Sequence, residues 1–149
     1  MRYQHTQRGP WHYVVVILGL AMLVAAWFVR GDPLGVTILT GLGLLMFPTA
    51  AAFAQLTVED EGDELAVRFG PLPLFGKRIP YHRITDVAAD RSSLIDGWGL
   101  HFIPGRGWTY NVWGFDCVRL CVEGKQIRVG TDDRENLLAL LRSKTGHVG

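Results

Sequence analysis

The sequence predicts a two-helix transmembrane hairpin followed by a mainly-β barrel or sandwich of about seven antiparallel strands, capped by a C-terminal α-helix. Three observations predict it. Residues 11–29 and 34–54 are apolar runs without a single Asp, Glu, Lys or Arg, broken only by Arg30-Gly31-Asp32-Pro33. Apolar and polar residues then alternate through much of 55–130, and the period becomes helical after Asp132. At about 1.5 Å per residue each run approaches the roughly 30 Å of hydrocarbon that a helix must cross. The chain divides into a tail (1–10), two spans (11–29 and 34–54) and a β domain (55–149) ending in a helix over 132–145. Its 149 residues leave room for one compact domain after the hairpin.

The formal charge of +1 is unevenly spread: +2 on residues 1–10, zero at Arg30 and Asp32, and −1 from residue 55 onward. No basic face for nucleic acid follows. Arg2 and Arg8 precede the first span and Arg68 follows the second, against Arg30 between them. The positive-inside bias places both termini in the cytoplasm and the protein in the cell inner (cytoplasmic) membrane as a multi-pass protein. Val24-Ala25-Ala26 loosely resembles a cleavage site, but the apolar stretch is long and a second span follows at once, so a retained anchor is expected. Cys117 and Cys121 alternate on one strand face about 13 Å apart, beyond disulfide reach, and no histidine at ligand spacing accompanies them. Packed, reduced thiols and no metal or cofactor are expected.

Ala21 with Ala25, and Thr37 with Gly41, repeat small residues at four-residue spacing, which suits close helix contact; Ala and Gly are also common in membrane helices generally. Pro48 predicts a kink in the second span. In the domain, Leu56/Val58 and Leu65/Val67/Phe69 flank the acidic turn Asp60-Glu61-Gly62-Asp63, predicting a β-hairpin with one apolar face. Pro71 and Pro73 mark a loop ending at Gly76. Short strands are expected over 78–81, 84–89 and 98–103, with 107–112 pairing back on the last. Residues 117–122 and 126–129 flank the tight-turn signal Glu123-Gly124-Lys125. Asp132 and Glu135 form a capping-box pair ahead of the stripe Leu137, Leu138 and Leu141, which covers the sheet's open end; Gly146 stops the helix.

Two spans, the hairpin opened by Leu56-Thr57-Val58, the stretch Ile79-Pro80-Tyr81-His82-Arg83-Ile84-Thr85-Asp86-Val87, Gly97-Trp98-Gly99, and a terminal helix after Ile127-Arg128-Val129-Gly130-Thr131 together resemble the membrane-anchored bacterial pleckstrin-homology-like domain proteins. The resemblance covers most of the chain. It implies a seven-stranded, strongly bent sheet capped by one helix, and no catalytic residues. Eukaryotic pleckstrin-homology domains often hold phosphoinositides with bases around the first hairpin loop, whereas here that loop, Asp60-Glu61-Gly62-Asp63-Glu64, repels phosphate. A secondary basic cluster, Lys77, Arg78, His82 and Arg83, with Arg91 nearby, offers contacts to anionic headgroups at about 1 kcal/mol each, or else is a solvated charged edge.

Aromatic density is the most unusual feature: Trp98, Phe102, Trp108, Tyr110, Trp113 and Phe115 fall within 18 residues, among glycines and Arg106. Alternation puts Trp98, Leu100 and Phe102 on one face. Arg106, Trp108 and Trp113 fit that face less easily, and form either part of the core or a contact patch for a partner or the membrane. Glycine-rich phosphate loops, nucleophile elbows, His-Glu-x-x-His and CxxC are absent, and an imagined grouping of His101 and Asp116 with Ser92 or Ser93 is the only catalytic alternative. The expected function is a non-enzymatic membrane module that binds a protein partner, in the membrane or cytoplasm, and helps assemble or regulate a membrane complex. The alternatives are a lipid-headgroup or membrane-surface sensor and a hydrolase or transferase.

Overall fold

The computed structural model of the chain describes residues 3–71, 74–93 and 99–146. Arg2, Pro73 and the Gly97-Trp98 pair lie outside the described residues. The two apolar runs form α1 (Trp11–Phe28) and α2 (Pro33–Ala52), each long and apolar enough to cross a membrane. Asp32 starts α2 by accepting a hydrogen bond from the Leu34 N–H at 3.2 Å, with Pro33 preset for the first turn. The helices approach through glycine. A Cβ at Gly19 would lie 3.0 Å from the Gly43 carbonyl oxygen, and one at Gly43 3.0 Å from that of Gly19. Gly19 and Ala26 are buried on α1, Gly43, Ala50 and Ala52 on α2. This corrects the expected contact, because Ala21, Thr37 and Gly41 face outward. Four-residue spacing marks several faces; backbone-to-backbone approach selects the one where glycines oppose each other. Pro48 lies within α2, which continues to Ala52. Only 11% of each span is buried, the reverse of a core helix in a water-soluble fold.

The β domain holds nine described strands in two sheets that do not close, a correction to the expected seven-stranded barrel or sandwich. The first sheet runs in the order β1 (Gln4–Arg8), β2 (Gln55–Asp60), β3 (Glu64–Phe69), β4 (Gly76–Pro80), all antiparallel. Strand β1 is the tail expected to be separate. Its polar side chains carry no apolar alternation, because at the sheet's edge Tyr3, His5 and Gln7 supply its inward side. It sits just before α1, and β2 just after α2, with Arg8 paired to Gln55. Residues 3–8 and the β domain therefore lie on the same side of the hairpin.

The second sheet runs β5 (Ile84–Arg91), β8 (Asp116–Val122), β9 (Lys125–Gly130), β7 (Gly107–Asn111), β6 (Gly99–Ile103). The β8–β9 hairpin turns on Glu123 and Gly124, both at positive φ, and inserts β9 between β8 and β7. The β7–β9 pair is consequently parallel, where antiparallel pairing throughout was expected. Between the sheets lie Leu56, Val58, Leu65, Val67, Phe69, Ile79, Val118, Leu120, Ile127 and Val129. The terminal helix α3 (Arg134–Thr145) covers one open end with Leu137 and Leu141 buried, Leu138 only partly so. It begins two residues later than expected, and Asp133 occupies the cap position without a side-chain capping bond. The carboxylates that would cap are drawn elsewhere: Asp132 to His5 at 2.5 Å and Asp133 to the Tyr3 hydroxyl at 3.2 Å. Gly146 ends the helix in the left-handed region, as expected.

Candidate functional site

The hairpin enters the domain through a packed joint. Phe53, which ends α2, lies between Phe69 and Phe75, with ring centroids 5.3 and 5.5 Å away. Gly70, at positive φ, presses against the backbone of Ala51 and Ala52, leaving no room for a side chain. The Gly9 amide donates to the Ala54 carbonyl at 3.4 Å, and a Cβ at Gly9 would meet the Val112 carbonyl. Around this joint stands a collar of exposed apolar residues. Trp11 and Tyr13 come from the start of α1; Trp113, 40% exposed, comes from the β7–β8 loop beside Gly9; Leu74 and Phe75, 65% and 42% exposed, come from the β3–β4 loop. Leu74 and Phe75 escaped the reading of the sequence, where the flanking prolines dominated. Their signal was an apolar pair next to cations in a segment otherwise marked as a turn.

A second apolar surface lies on β6 and β7. Phe102 and Trp108 are cross-strand partners, with ring centroids 5.3 Å apart and exposures of 59% and 39%. Trp108 thus shares a face with Leu100, Phe102 and Tyr110, which the sequence reading did not expect. The register brings Phe102 opposite Trp108 and Leu100 opposite Tyr110. Tyr110 stacks on Phe69 across the core, whereas Trp108, two residues earlier on the same face, is 39% exposed. The rings border a groove of about 450 Å³ lined also by Gly105, Gly107, Gly124, Lys125 and Gln126. Gly107 is required there: at positive φ it packs directly on the Gln126 carbonyl.

The three expected contact residues, Arg106, Trp108 and Trp113, are therefore not one patch. Arg106 is exposed in the β6–β7 turn, its carbonyl accepts from Arg128 at 2.6 Å, and its guanidinium reaches Ser93 Oγ at 3.4 Å. Trp108 belongs to the groove and Trp113 to the collar. The basic cluster divides likewise. Arg78 is paired to Glu61 at 3.2 Å and Glu64 at 3.5 Å, and Arg83 to Glu123 at 3.5 Å. Arg68 also pairs with Glu59 and Glu61, so Glu61 and Glu64 of the acidic turn are each held by an arginine. His82 is exposed beside Arg83, and Lys77, next to the Leu74-Phe75 loop, carries no ion pair among the described residues. Arg91 reaches Asp116 at 3.7 Å.

Two polar networks fasten the domain. Asp60, buried at the end of β2, accepts from the Gly62 amide and Tyr81 hydroxyl, each at 2.9 Å, and pairs with Lys144 of α3 at 3.1 Å. Burial alone would raise its carboxyl pKa, but these donors outweigh burial and hold it below the usual range. Burial, reinforced by Asp60, pushes the Tyr81 phenol up. Burial and Asp133 do the same to Tyr3. On the second sheet Asp90 pairs with the nearly buried Arg128 at 2.8 Å; burial opposes ionisation, yet the Arg128 bond keeps its carboxyl pKa low.

Cys117 is buried and Cys121 half-buried. No group of three or more His, Cys, Asp or Glu able to hold a metal occurs among the described residues. Asp116 is taken by Arg134 at 3.1 Å as well as Arg91, and Ser92 donates to the Phe115 carbonyl at 3.3 Å. His101 stands on β6 at the cleft beside the hairpin. No family model matches the sequence, and no curated protein is significantly similar to it.

Proposed function

We propose that the chain is a non-enzymatic integral membrane protein whose hairpin anchors the β domain on the bilayer, and whose β6–β7 groove docks a protein partner of a membrane complex. The observation that carries this reading is the Phe102–Trp108 pair. Two large rings of the core-facing side are left uncovered at the sheet's edge over a groove of about 450 Å³. Large aromatic rings are enriched at protein interfaces, and tryptophan is among the residues that most often dominate their binding energy. The membrane assignment draws on the collar and on the tryptophans at the two ends of α1. Trp11 and Trp27 are about 24 Å apart along the helix, the spacing of two interfacial belts around a hydrocarbon layer.

Kinship with pleckstrin-homology-like domains is part of the same proposal, supported by the antiparallel β2–β3–β4 meander, the second sheet and the helix on the open end. We assign both termini to the cytoplasm on the charge bias. A surface-sensing role has a specific observation in its favour, since Leu74, Phe75 and Lys77 form an apolar tip at the hairpin end of the domain, with a cation that has no ion pair among the described residues. The test is crosslinking in native membranes, comparing the wild type with Phe102→Ser/Trp108→Ser. Loss of a crosslinked partner, with localisation unchanged, supports protein docking. An unchanged crosslinking pattern overturns it.

A further inference from the structure

Between the hairpin and the β6 edge lies a cleft of about 230 Å³ that the proposed docking does not use. Trp11, His12 and Val15 of α1, Thr49 and Ala50 of α2, and Phe53 form one wall; Leu100, His101 and Val112 stand among the residues of the other. Its position is unusual, because the first wall is made of the opening turns of α1 and the closing turn of α2. The mouth is thereby continuous with the exposed apolar surface of the hairpin. At roughly 30 Å³ per water-sized group, the volume suits a run of about seven or eight methylenes. Among the described residues the lining is apolar except for Thr49 and two imidazoles, and it contains no carboxylate. His12 Nδ1 lies 2.7 Å from the Gly9 carbonyl oxygen and donates to it, which leaves Nε2 to accept the proton of a carboxylic acid, giving an imidazolium that donates to the resulting carboxylate.

We propose that this cleft holds the upper acyl chain of a fatty acid from the surrounding leaflet, with its carboxylate at the level of His12 and His101. The chain matches the apolar walls. The acidic head matches a mouth whose ionisable side chains, among the described residues, are the two imidazoles.

The test uses the full chain in phosphatidylcholine vesicles with a palmitic acid carrying a mid-chain photoreactive diazirine. The expected result is labelling concentrated on the peptides that contain Val15, Ala50 and Leu100. Unlabelled palmitic acid should suppress it, while hexadecanol, of equal length without the acid, should not. His12→Ala with His101→Ala should weaken capture by roughly ten-fold, about the effect of one charge-assisted hydrogen bond. Leu100→Trp should block labelling by filling the cleft. Labelling spread evenly over the outer faces of both helices overturns the site, and equal competition by hexadecanol overturns the acidic head. Equal labelling by a diazirine phospholipid assigns the cleft to bulk lipid and also overturns the proposal.

Discussion

The hairpin and the terminal helix are both rich in leucine, and they bury opposite residues. In α3, Leu137 and Leu141 are inside, while Glu135, Asn136, Arg142 and Lys144 sit on or toward the outside. In α1 and α2 the glycines and alanines are inside, while Ile17, Leu18, Leu20, Leu44 and Leu45 are exposed. Leucine enters the core when the surroundings are water, because removing apolar area from water is the main driving force. In hydrocarbon that force vanishes between helices, and close backbone packing decides which face turns inward. The inversion is what two different solvents around one short chain would produce.

The comparison breaks most decisively at Leu20, half exposed near the middle of α1. Leu20→Lys should disfavour insertion by about 3 to 4 kcal/mol at the centre of a spanning helix. The readout is the membrane-integrated fraction in a translocon assay. Ala139→Lys, on the wet face of α3, should change domain stability by less than about 0.5 kcal/mol. Equal insertion of Leu20→Lys and wild type would return α1 to water.

Leu141 makes the converse case. Leu141→Ala should cost about 2 to 4 kcal/mol through lost burial and the cavity left between α3 and the sheets. Urea unfolding of the full chain in detergent, followed through tryptophan fluorescence of the domain, measures it. A midpoint within error of wild type would mean that α3 does not close the core.

Gly43→Leu tests the packing rule inside the hairpin. An added Cβ already meets the Gly19 carbonyl at 3.0 Å, so a full side chain forces the helices apart at about 1 to 3 kcal/mol. Gly41→Leu, where nothing lies within 4 Å, should be nearly silent. Resistance to SDS-induced unfolding should fall for the first variant only; equal behaviour would relocate the contact to the face where Gly41 lies.

Most of the fold was legible because its signals are local. Charge-free runs bound the spans, alternation around Asp60-Glu61-Gly62-Asp63 marks β2 and β3, and Gly124 marks the β8–β9 turn. What stayed hidden depends on partners remote in sequence. Strand β1 has polar inward residues, so nothing in residues 3–8 announces that it completes a sheet with β2, some fifty residues later. The capping role expected of Asp132 lost to His5 for the same reason. Arg106, Trp108 and Trp113 looked like one patch because they are close in sequence. Strand β7, rising about 3.3 Å per residue, carries the chain roughly 10 Å from Trp108 to Asn111, and the loop that follows sets Trp113 beside Gly9, in a different environment.

The smallest effect concerns the polar side of the comparison, where α3 joins the β2–β3 turn through an ion pair of a kind the hairpin lacks. Asp60 is buried and Lys144 about one-third exposed, so the pair is only partly screened. Because donors from Gly62, Tyr81 and Lys144 overcome burial, the folded carboxyl pKa is depressed below its unfolded value. A depressed carboxylate stabilises the fold at all pH values above the unfolded pKa, about 4, and that contribution is lost as pH falls through the lower folded value. Asp60→Asn keeps the shape and an acceptor but removes the charge facing Lys144, at a cost of about 1 kcal/mol at neutral pH. The difference between wild type and variant should then shrink on acidification below about pH 4. Urea midpoints measured from pH 7 to pH 3 provide the check. A gap that stays constant with pH would show that Asp60 acts through shape and hydrogen bonding alone, and that the ion pair to α3 contributes no stability.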